Sequence, residues 1–356
     1  GATVTLALGG EPVANLAPTN CRVVQLPPLR ATPESYSNLL QPDGSPADAT
    51  YRAHRRAALL DAFEVAAPDV LITEGYPFGR WAMDFELGPL LDKARTLSRG
   101  RPLIIASLRD ILQVPKDPAK VSRSLEIYAR HFDAMLIHGD RRLVPVEASF
   151  PAIRPFLPTA HYTGLIVPPP NGSKGANTDE HFDVVVTAGG GAIAERVLET
   201  AMIAKPLSPL AQARWLALAG PRLPDAAYER LLDVARRHNV AIERYRPDLA
   251  NLLSNARLSI QRAGYNTIAD VLVAGCRAVL VPDSDHNQRE QPLRAERLEA
   301  LGRAVTVEEA RLTPQALAHA IAKAVSQDVA ALNLDLDGAA ASARIVRELA
   351  ARHQRL

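Results

Sequence analysis

The stretch SIQRAGYNTIADVLVAGCRAVLVP, Ser259 to Pro282, decides the fold. It opens as an apolar strand, breaks at Ala263-Gly264-Tyr265-Asn266, continues as a short helix, turns at Gly275 and ends in a second apolar strand. Strand, helix and strand in so few residues make a parallel β-α-β unit, and such units place ligands beyond the carboxyl ends of their strands. Arg262, Asn266, Thr267 and Asp270 gather at that end, around the first turn. Asn266 or Thr267 is expected to cap the helix, whose first amides carry partial positive charge suited to a diphosphate. Asp270, three residues after Thr267, is placed to accept hydrogen bonds from both hydroxyls of a ribose. The same spacing has the form of a capping box, so Asp270 also reads as a partner of the helix start.

The same rhythm runs through the chain. TVTLAL (Thr3–Leu8), RVVQL (Arg22–Leu26), DVLITEG (Asp69–Gly75), RPLIIAS (Arg101–Ser107) and AMLIHG (Ala134–Gly139) read as buried strands, with helices over Tyr51–Ala67, from about Glu86, and over Pro118–His131. After about Ala160 the composition shifts to HYTGLIVPPPNGSKGANTDEH, a connector rich in Pro, Gly, Ser and Asn, in which Pro168 to Gly175 is the expected hinge. The rhythm then restarts with DVVVTAGGG, RWLALAGP, VAIERY, LSIQRAG and CRAVLVP, followed by helices over Pro314–Ala324 and Gly338–Arg352. The expectation is an α/β chain of two Rossmann-like, doubly wound domains facing a cleft, over residues 1–165 and 176–330, with the helix in 331–356 crossing back to the first domain.

Bulk numbers agree with two globular domains. The chain has 356 residues, 47% hydrophobic and 22% charged, with a net charge of +2 and no basic run, which argues against a nucleic-acid partner. Two cysteines, Cys21 and Cys276, fit a reducing, cytoplasmic compartment. No apolar run reaches the roughly 18 to 20 residues of a membrane span, so any membrane contact is expected to be peripheral.

Three further clusters carry polar chemistry. Gly189, Gly190 and Gly191 follow a strand and precede a helix, where missing side chains let a phosphate approach the backbone. Gly189 to Ala194 also meets a loose dinucleotide pattern, but RWLALAGP ends with no acidic residue to take a ribose hydroxyl. HNQREQPLRAERL, from His286, opens a helix with Asn287, Gln288, Glu290 and Gln291, hydrogen-bonding groups for a polyhydroxyl ligand; lone His286 suggests no metal. In the first half, Glu74, Arg80, Arg109 and Asp110 lie just past predicted strand ends, while Trp81, Met83 and Phe85 suit core packing better than a lipid patch.

Strand-RAGYNT-IAD-strand-VP followed by HNQREQPLRAERL, with a glycine loop at the head of the same domain, resembles the C-terminal domain of GT-B glycosyltransferases. Within them it is most similar to family 28, the group that includes the enzyme adding N-acetylglucosamine to the lipid intermediate of peptidoglycan, and to a bacterial branch of it. The resemblance is good over Asp183–Ala324 and topological over the first domain. It implies that Arg262, Gly264 and Thr267 cradle a nucleotide diphosphate, with Tyr265 and Asn266 in the same turn, and that Gly189–Gly191 lie near the phosphates. Asp270, where the family usually has glutamate, would hold the ribose, and Glu290-Gln291 the donor sugar. Arg109 and Asp110 fall where the family has a polar acceptor-side loop. Asp110 and Glu74 are the candidate catalytic groups, with Arg80 and Arg109 on the acceptor side. GATVTLALGGEP looks like the family's second strand, so the first β-α unit and its Gly-His loop, a frequent source of the base, are expected to lie in a segment outside this sequence.

The expected function is an inverting glycosyltransferase that takes a sugar from a nucleotide-activated donor, a UDP-sugar, to a lipid-linked or saccharide acceptor, with no cofactor and no required metal. It would be cytoplasmic, peripheral at the inner face of the membrane. A UDP-sugar epimerase and a non-catalytic nucleotide-sugar-binding subunit are the alternatives.

Overall fold

The computed structural model describes residues 2–12, 20–32, 35–98, 100–167, 180–189, 192–283, 289–328 and 332–355, in two units. The first comprises Gly1–Ile137, Ala152–His161 and Ser342–Leu356, the second His138–Pro151 and Tyr162–Ala341.

In the first unit β1 (Val4–Leu8) pairs in parallel with β2 (Cys21–Gln25), and β3 (Arg30–Thr32) forms an antiparallel hairpin with β4 (Ser35–Leu40). Helix α1 (Ala49–Ala66) follows, capped by Asp48, whose side chain accepts the Tyr51 amide at 2.7 Å. Then come β5 (Val70–Glu74), α2 (Asp84–Thr96), β6 (Leu103–Arg109), α3 (Pro118–His131), β7 (Ala134–His138) and β8 (Ala160–Tyr162), with the single turn α4 (Val146–Ser149) of the second unit between β7 and β8 in sequence. The strands β5-β6-β7-β8 form one sheet in that order. A single doubly wound sheet was expected here. Instead, among the described residues, β1 and β2 pair only with each other, and the hairpin of β3 and β4 occupies a stretch that carries no strand pattern in the sequence.

Tyr128 of α3 packs against Phe78, Phe132 and Phe156, with ring centroids 4.9–5.6 Å away. Trp81 donates to Ser124 Oγ at 3.0 Å, and Met83 and Phe85 pack on Leu29, Leu39 and Ala47, so these three residues are packing groups. Leu103, Ile105, Ala134 and Leu136 are covered by Ile345, Val346, Leu349 and Ala350, which lie near the chain end.

The second unit alternates β9 (Val184–Thr187), α5 (Ala192–Ala204), β10 (Trp215–Leu218), α6 (Asp225–His238), β11 (Ala241–Glu243), α7 (Leu249–Asn255), β12 (Leu258–Gln261), α8 (Tyr265–Ala274), β13 (Ala278–Leu280), α9 (Glu290–Ala300) and β14 (Ala304–Thr306). Helices α10 (Pro314–Ser326) and α11 (Gly338–His353) complete the chain. The six strands are all parallel, in the order β11-β10-β9-β12-β13-β14. Numbered within the unit this is 3-2-1-4-5-6, the doubly wound dinucleotide-fold order, and the direction of strand addition reverses between β9 and β12.

Both faces of this sheet are covered, which is why its strands read as unbroken apolar runs. Val184, Val186, Trp215, Ala217, Leu258 and Ile260 enter one core, while Val185, Leu216 and Leu218 enter the other with Leu252 and Leu253 of α7. Two stretches distant in sequence cross closely at Gly164–Leu165 and Asp335–Gly338. Leu165 donates its amide to Asp335 C=O at 2.8 Å, and Gly338 donates to Leu165 C=O at 3.0 Å. A Cβ on Gly164 would lie 2.4 Å from Asp335 O, and one on Gly338 2.6 Å from Gly164 O, so neither position has room for a side chain. The expected hinge, Pro168–Gly175, lies outside the described residues.

Candidate functional site

The sheet order selects one place for a ligand: beyond the carboxyl ends of β9 and β12, where neighbouring strands send their connections to opposite faces and leave a crevice. Two loops meet the condition. Thr187 pairs with Gln261 at the last rung of the β9–β12 ladder, and Thr187 Oγ1 donates to Gln261 Oε1 at 3.1 Å. Beyond this rung Gly189 has φ +76°, a left-handed conformation in which a Cβ would be strained, and the space around it is open. Gly190 and Gly191 lie outside the described residues.

After β12 the chain turns through Arg262 and Ala263 into α8, whose N-cap is Gly264. This corrects the capping expected of Asn266 or Thr267. The helix starts at Tyr265, the cap has no side-chain hydrogen bond, and the first helical bond runs from the Ile268 amide to Gly264 C=O at 3.0 Å. The amides of Tyr265, Asn266 and Thr267 therefore have no acceptor within the helix, and the dipole of α8 adds positive potential beside them. The capping box does not form, because Thr267 is the third helical residue. Gly264 itself has φ −67°, open to any residue, and an added Cβ would meet Thr267 Oγ1 at an ordinary 3.8 Å. The turn does not require glycine for conformation; its missing side chain keeps the helix start open.

Asp270 lies in the second turn of α8, half-buried. Burial raises its pKa, and among the described residues no hydrogen bond or counter-charge offsets that. A capping partner would have one. Asn266 is exposed and Thr267 half-buried. Tyr265 is turned inward: it is buried, the Ile166 amide donates to its hydroxyl at 2.9 Å, and the Arg294 guanidinium lies 5.8 Å from its ring centroid.

Glu290 and Gln291, expected on the donor sugar, already have protein partners. Glu290 Oε1 accepts from Arg294 Nη2 at 2.9 Å, and Gln291 Oε1 accepts the Asp283 amide at 3.2 Å. Arg294 is 0% exposed and also donates to Ala263 C=O at 2.6 Å, so it ties the start of α9 to the turn after β12. His286, Asn287 and Gln288 lie outside the described residues.

Two donors stand out at the end of β12. Gln261, 1% exposed, has no acceptor for Nε2, and Arg262 has none for Nε or Nη2, among the described residues. Arg262 was singled out in the sequence; Gln261 was not, although a glutamine ending the wholly buried strand LSIQ is the signal that marks it. Buried donors left unpaired are costly and point to a group that completes them.

The candidates of the first unit separate. Asp110 is 2% exposed and accepts the Ile111 amide at 3.0 Å, which removes it from contact with a substrate as the structure stands. Glu74 is exposed and ion-pairs with Arg80 at 3.1 Å, and Arg109 is exposed. Among the described residues no group of three His, Cys, Asp or Glu side chains is arranged to hold a metal, and no helix is long and apolar enough to cross a membrane.

Comparison with known proteins places this geometry. Residues 184–346 match the model of the glycosyltransferase family 28 C-terminal domain. A UDP-N-acetylglucosamine--N-acetylmuramyl-(pentapeptide) pyrophosphoryl-undecaprenol N-acetylglucosamine transferase of Lacticaseibacillus casei (strain BL23) is 28% identical over 134 residues, 38% of this chain and 36% of the relative. The protein of the same name from Thermotoga neapolitana is 36% identical over 92 residues, 25% of this chain and 26% of the relative. The matched part thus spans about a third or less of these curated relatives. Among solved structures, Acinetobacter baumannii MurG superposes with a TM-score of 0.57 at 17% identity, covering 100% of this chain and 92% of that one. Os79 from O. sativa, in complex with UDP, gives 0.61 at 15% identity, covering 98% and 93%. Residues 184–346 are thus similar to a glycosyltransferase family 28 C-terminal domain, and the chain shares the two-domain GT-B fold of these solved structures.

Proposed function

We propose that the chain transfers a sugar from a UDP-sugar to an acceptor hydroxyl, with inversion at the anomeric carbon. The observation that carries this reading is the uncapped N-terminus of α8 at the switch point between β9 and β12, with Asp270 one turn further on. Negative charge develops on the departing diphosphate, and the amides of residues 265–267 with the Arg262 guanidinium are fixed positive groups beside it. In this scheme they take the place of a metal. Asp270 accepts the ribose hydroxyls, and Gly189 leaves the backbone open to the phosphates. Attack needs a base for the acceptor proton. Of the two carboxylates considered, Glu74 is open to substrate and Asp110 is not. The relatives' activity, as their name states it, makes UDP-N-acetylglucosamine the first donor to test and a pyrophosphoryl-lipid the first acceptor, which would bring the protein to the inner face of the membrane.

A thermal-shift panel of UDP, ADP, GDP and their sugars tests the reading. A ligand at a hundred times its Kd adds about 2.7 kcal/mol of stability, so UDP compounds should raise Tm clearly above the others. A flat panel would remove the nucleotide from the proposal. Conversion of the free UDP-sugar without any acceptor would make the protein an epimerase instead.

Gly264→Ala separates ligand access from folding. The backbone there accepts alanine, so the substitution should cost at most about 1 kcal/mol of stability. The added methyl at the start of α8 should nevertheless weaken UDP about tenfold by calorimetry, a loss of about 1.4 kcal/mol. Unchanged affinity would move the phosphates away from this helix.

A further inference from the structure

The Arg262 guanidinium has a counter-charge within the protein itself. Its Nη2 lies 2.5 Å from Asp283 Oδ2, and the two side chains are 13% and 17% exposed. The approach is an ion pair without an aligned hydrogen bond, for Nε and Nη2 of Arg262 both remain buried without an acceptor, as does Nε2 of the preceding Gln261. Asp283 is itself held in place: it directly follows Pro282 after β13, and its amide donates to Gln291 Oε1 of α9. A carboxylate therefore supplies charge to a site whose hydrogen-bonding capacity it leaves unmet. A phosphate oxygen can supply both.

We propose that Asp283 is an internal counter-anion that competes with the ligand's diphosphate for Arg262 and so limits how tightly the nucleotide is held. This rests on the reading that the α8 turn takes a nucleoside diphosphate. Without Asp283 the buried guanidinium would stand uncompensated in the free protein, which costs stability. With it, each binding event must replace the Asp283–Arg262 attraction, and the same attraction favours departure of the nucleoside diphosphate left after transfer. Affinity is thereby exchanged for turnover. The charges facing Arg262 act on a phosphate-bearing ligand only; the ribose and base are indifferent to them.

The test is calorimetric titration of UDP, with uridine as the uncharged control, into the full chain, Asp283→Asn and Arg262→Ala/Asp283→Asn. Asp283→Asn should melt lower than the parent when free of ligand, yet bind UDP about tenfold more tightly, with slower dissociation and unchanged uridine binding. The double variant should lose that gain. Asp283→Ser removes the same charge with a different shape and should tighten UDP as well, which guards against an effect peculiar to asparagine or a variant too unstable to titrate. Equal or weaker UDP binding by the folded charge-removing variants overturns the competition while leaving the nucleotide reading intact. UDP binding by none of the proteins, with all of them folded, overturns both.

Discussion

Glu86→Leu is expected to destabilise the first unit by about 3–5 kcal/mol, the range for removing one partner of a fully buried ion pair. Arg55 on α1 and Glu86 on α2 have side chains 3% and 4% exposed, and the guanidinium meets the carboxylate through two bonds, Nε to Oε2 at 2.7 Å and Nη2 to Oε1 at 3.0 Å. Nη1 donates to Gly9 C=O at 2.8 Å and also to Pro27 C=O. One side chain thus ties both helices to the loops that leave β1 and β2, and a Cβ on Gly9 would lie 2.5 Å from Arg55 Nη2, so a side chain there would force the guanidinium to shift. Against a total stability on the order of 5–15 kcal/mol the loss would be large. The double variant Arg55→Met/Glu86→Leu removes both charges and should recover much of it, though not all, since the carbonyls of Gly9 and Pro27 lose their donor. Hydrogen exchange of the β6 amides reads the stability of this unit directly. A single-variant loss below about 1 kcal/mol would mean that water reaches the pair.

Neither Arg55 nor Arg294 can be recognised from local pattern alone, and the reason is the same for both. Arg55 lies among the charged residues of YRAHRRA, and its partner Glu86 is 31 residues away; Arg294 looks like half of an exposed i,i+4 pair with Glu290, and its second partner, Ala263 C=O, is also 31 residues away. Burial of a charge is decided by tertiary neighbours, which helical periodicity does not reveal. A partial signal exists in α9, where Arg294 is on the face of buried Ala295 and Leu298. Five of the second unit's six strands were legible because a sheet covered on both faces demands continuous apolar runs, as in VVVT and WLAL, while the three-residue edge strand β14 (Ala304–Thr306) was too short to carry such a run. Helix α3 was legible over its full length because Asp117 caps it and Pro118 takes its first position. The hairpin over 30–40 was not, since its strands are short, partly polar and preceded by Pro27 and Pro28. At the site, the turn and the place of Asp270 could be read from residue types. That Gly264, not Asn266 or Thr267, is the cap depends on where the helix begins, and sequence fixes such ends only to within a few residues.

The strongest expected effect on binding comes from Asp270→Asn, and it is accompanied by a gain in stability. Burial raises the Asp270 pKa in the folded protein above its ordinary 3.8, with no hydrogen bond or counter-charge offsetting it among the described residues. The folded state then holds its proton more tightly than the unfolded state. Stability from this group is greatest when it is protonated, falls as pH rises from about the unfolded value through the raised folded value, and stays reduced at neutral pH. Asparagine carries no charge to desolvate, so the ligand-free variant should melt higher than the parent near pH 7, and the difference should close under acid conditions. Binding should move the other way. An ionised carboxylate accepts hydroxyl hydrogen bonds worth about 1.5–3 kcal/mol, so UDP should weaken roughly 10- to 150-fold. In the parent, UDP affinity should also decline as the pH falls through the raised pKa, a step the variant lacks. A carboxylate kept for packing or capping predicts the opposite pair of results, lower stability with unchanged affinity. A residue whose neutralisation strengthens the fold and weakens the complex is one the fold tolerates for its ligand.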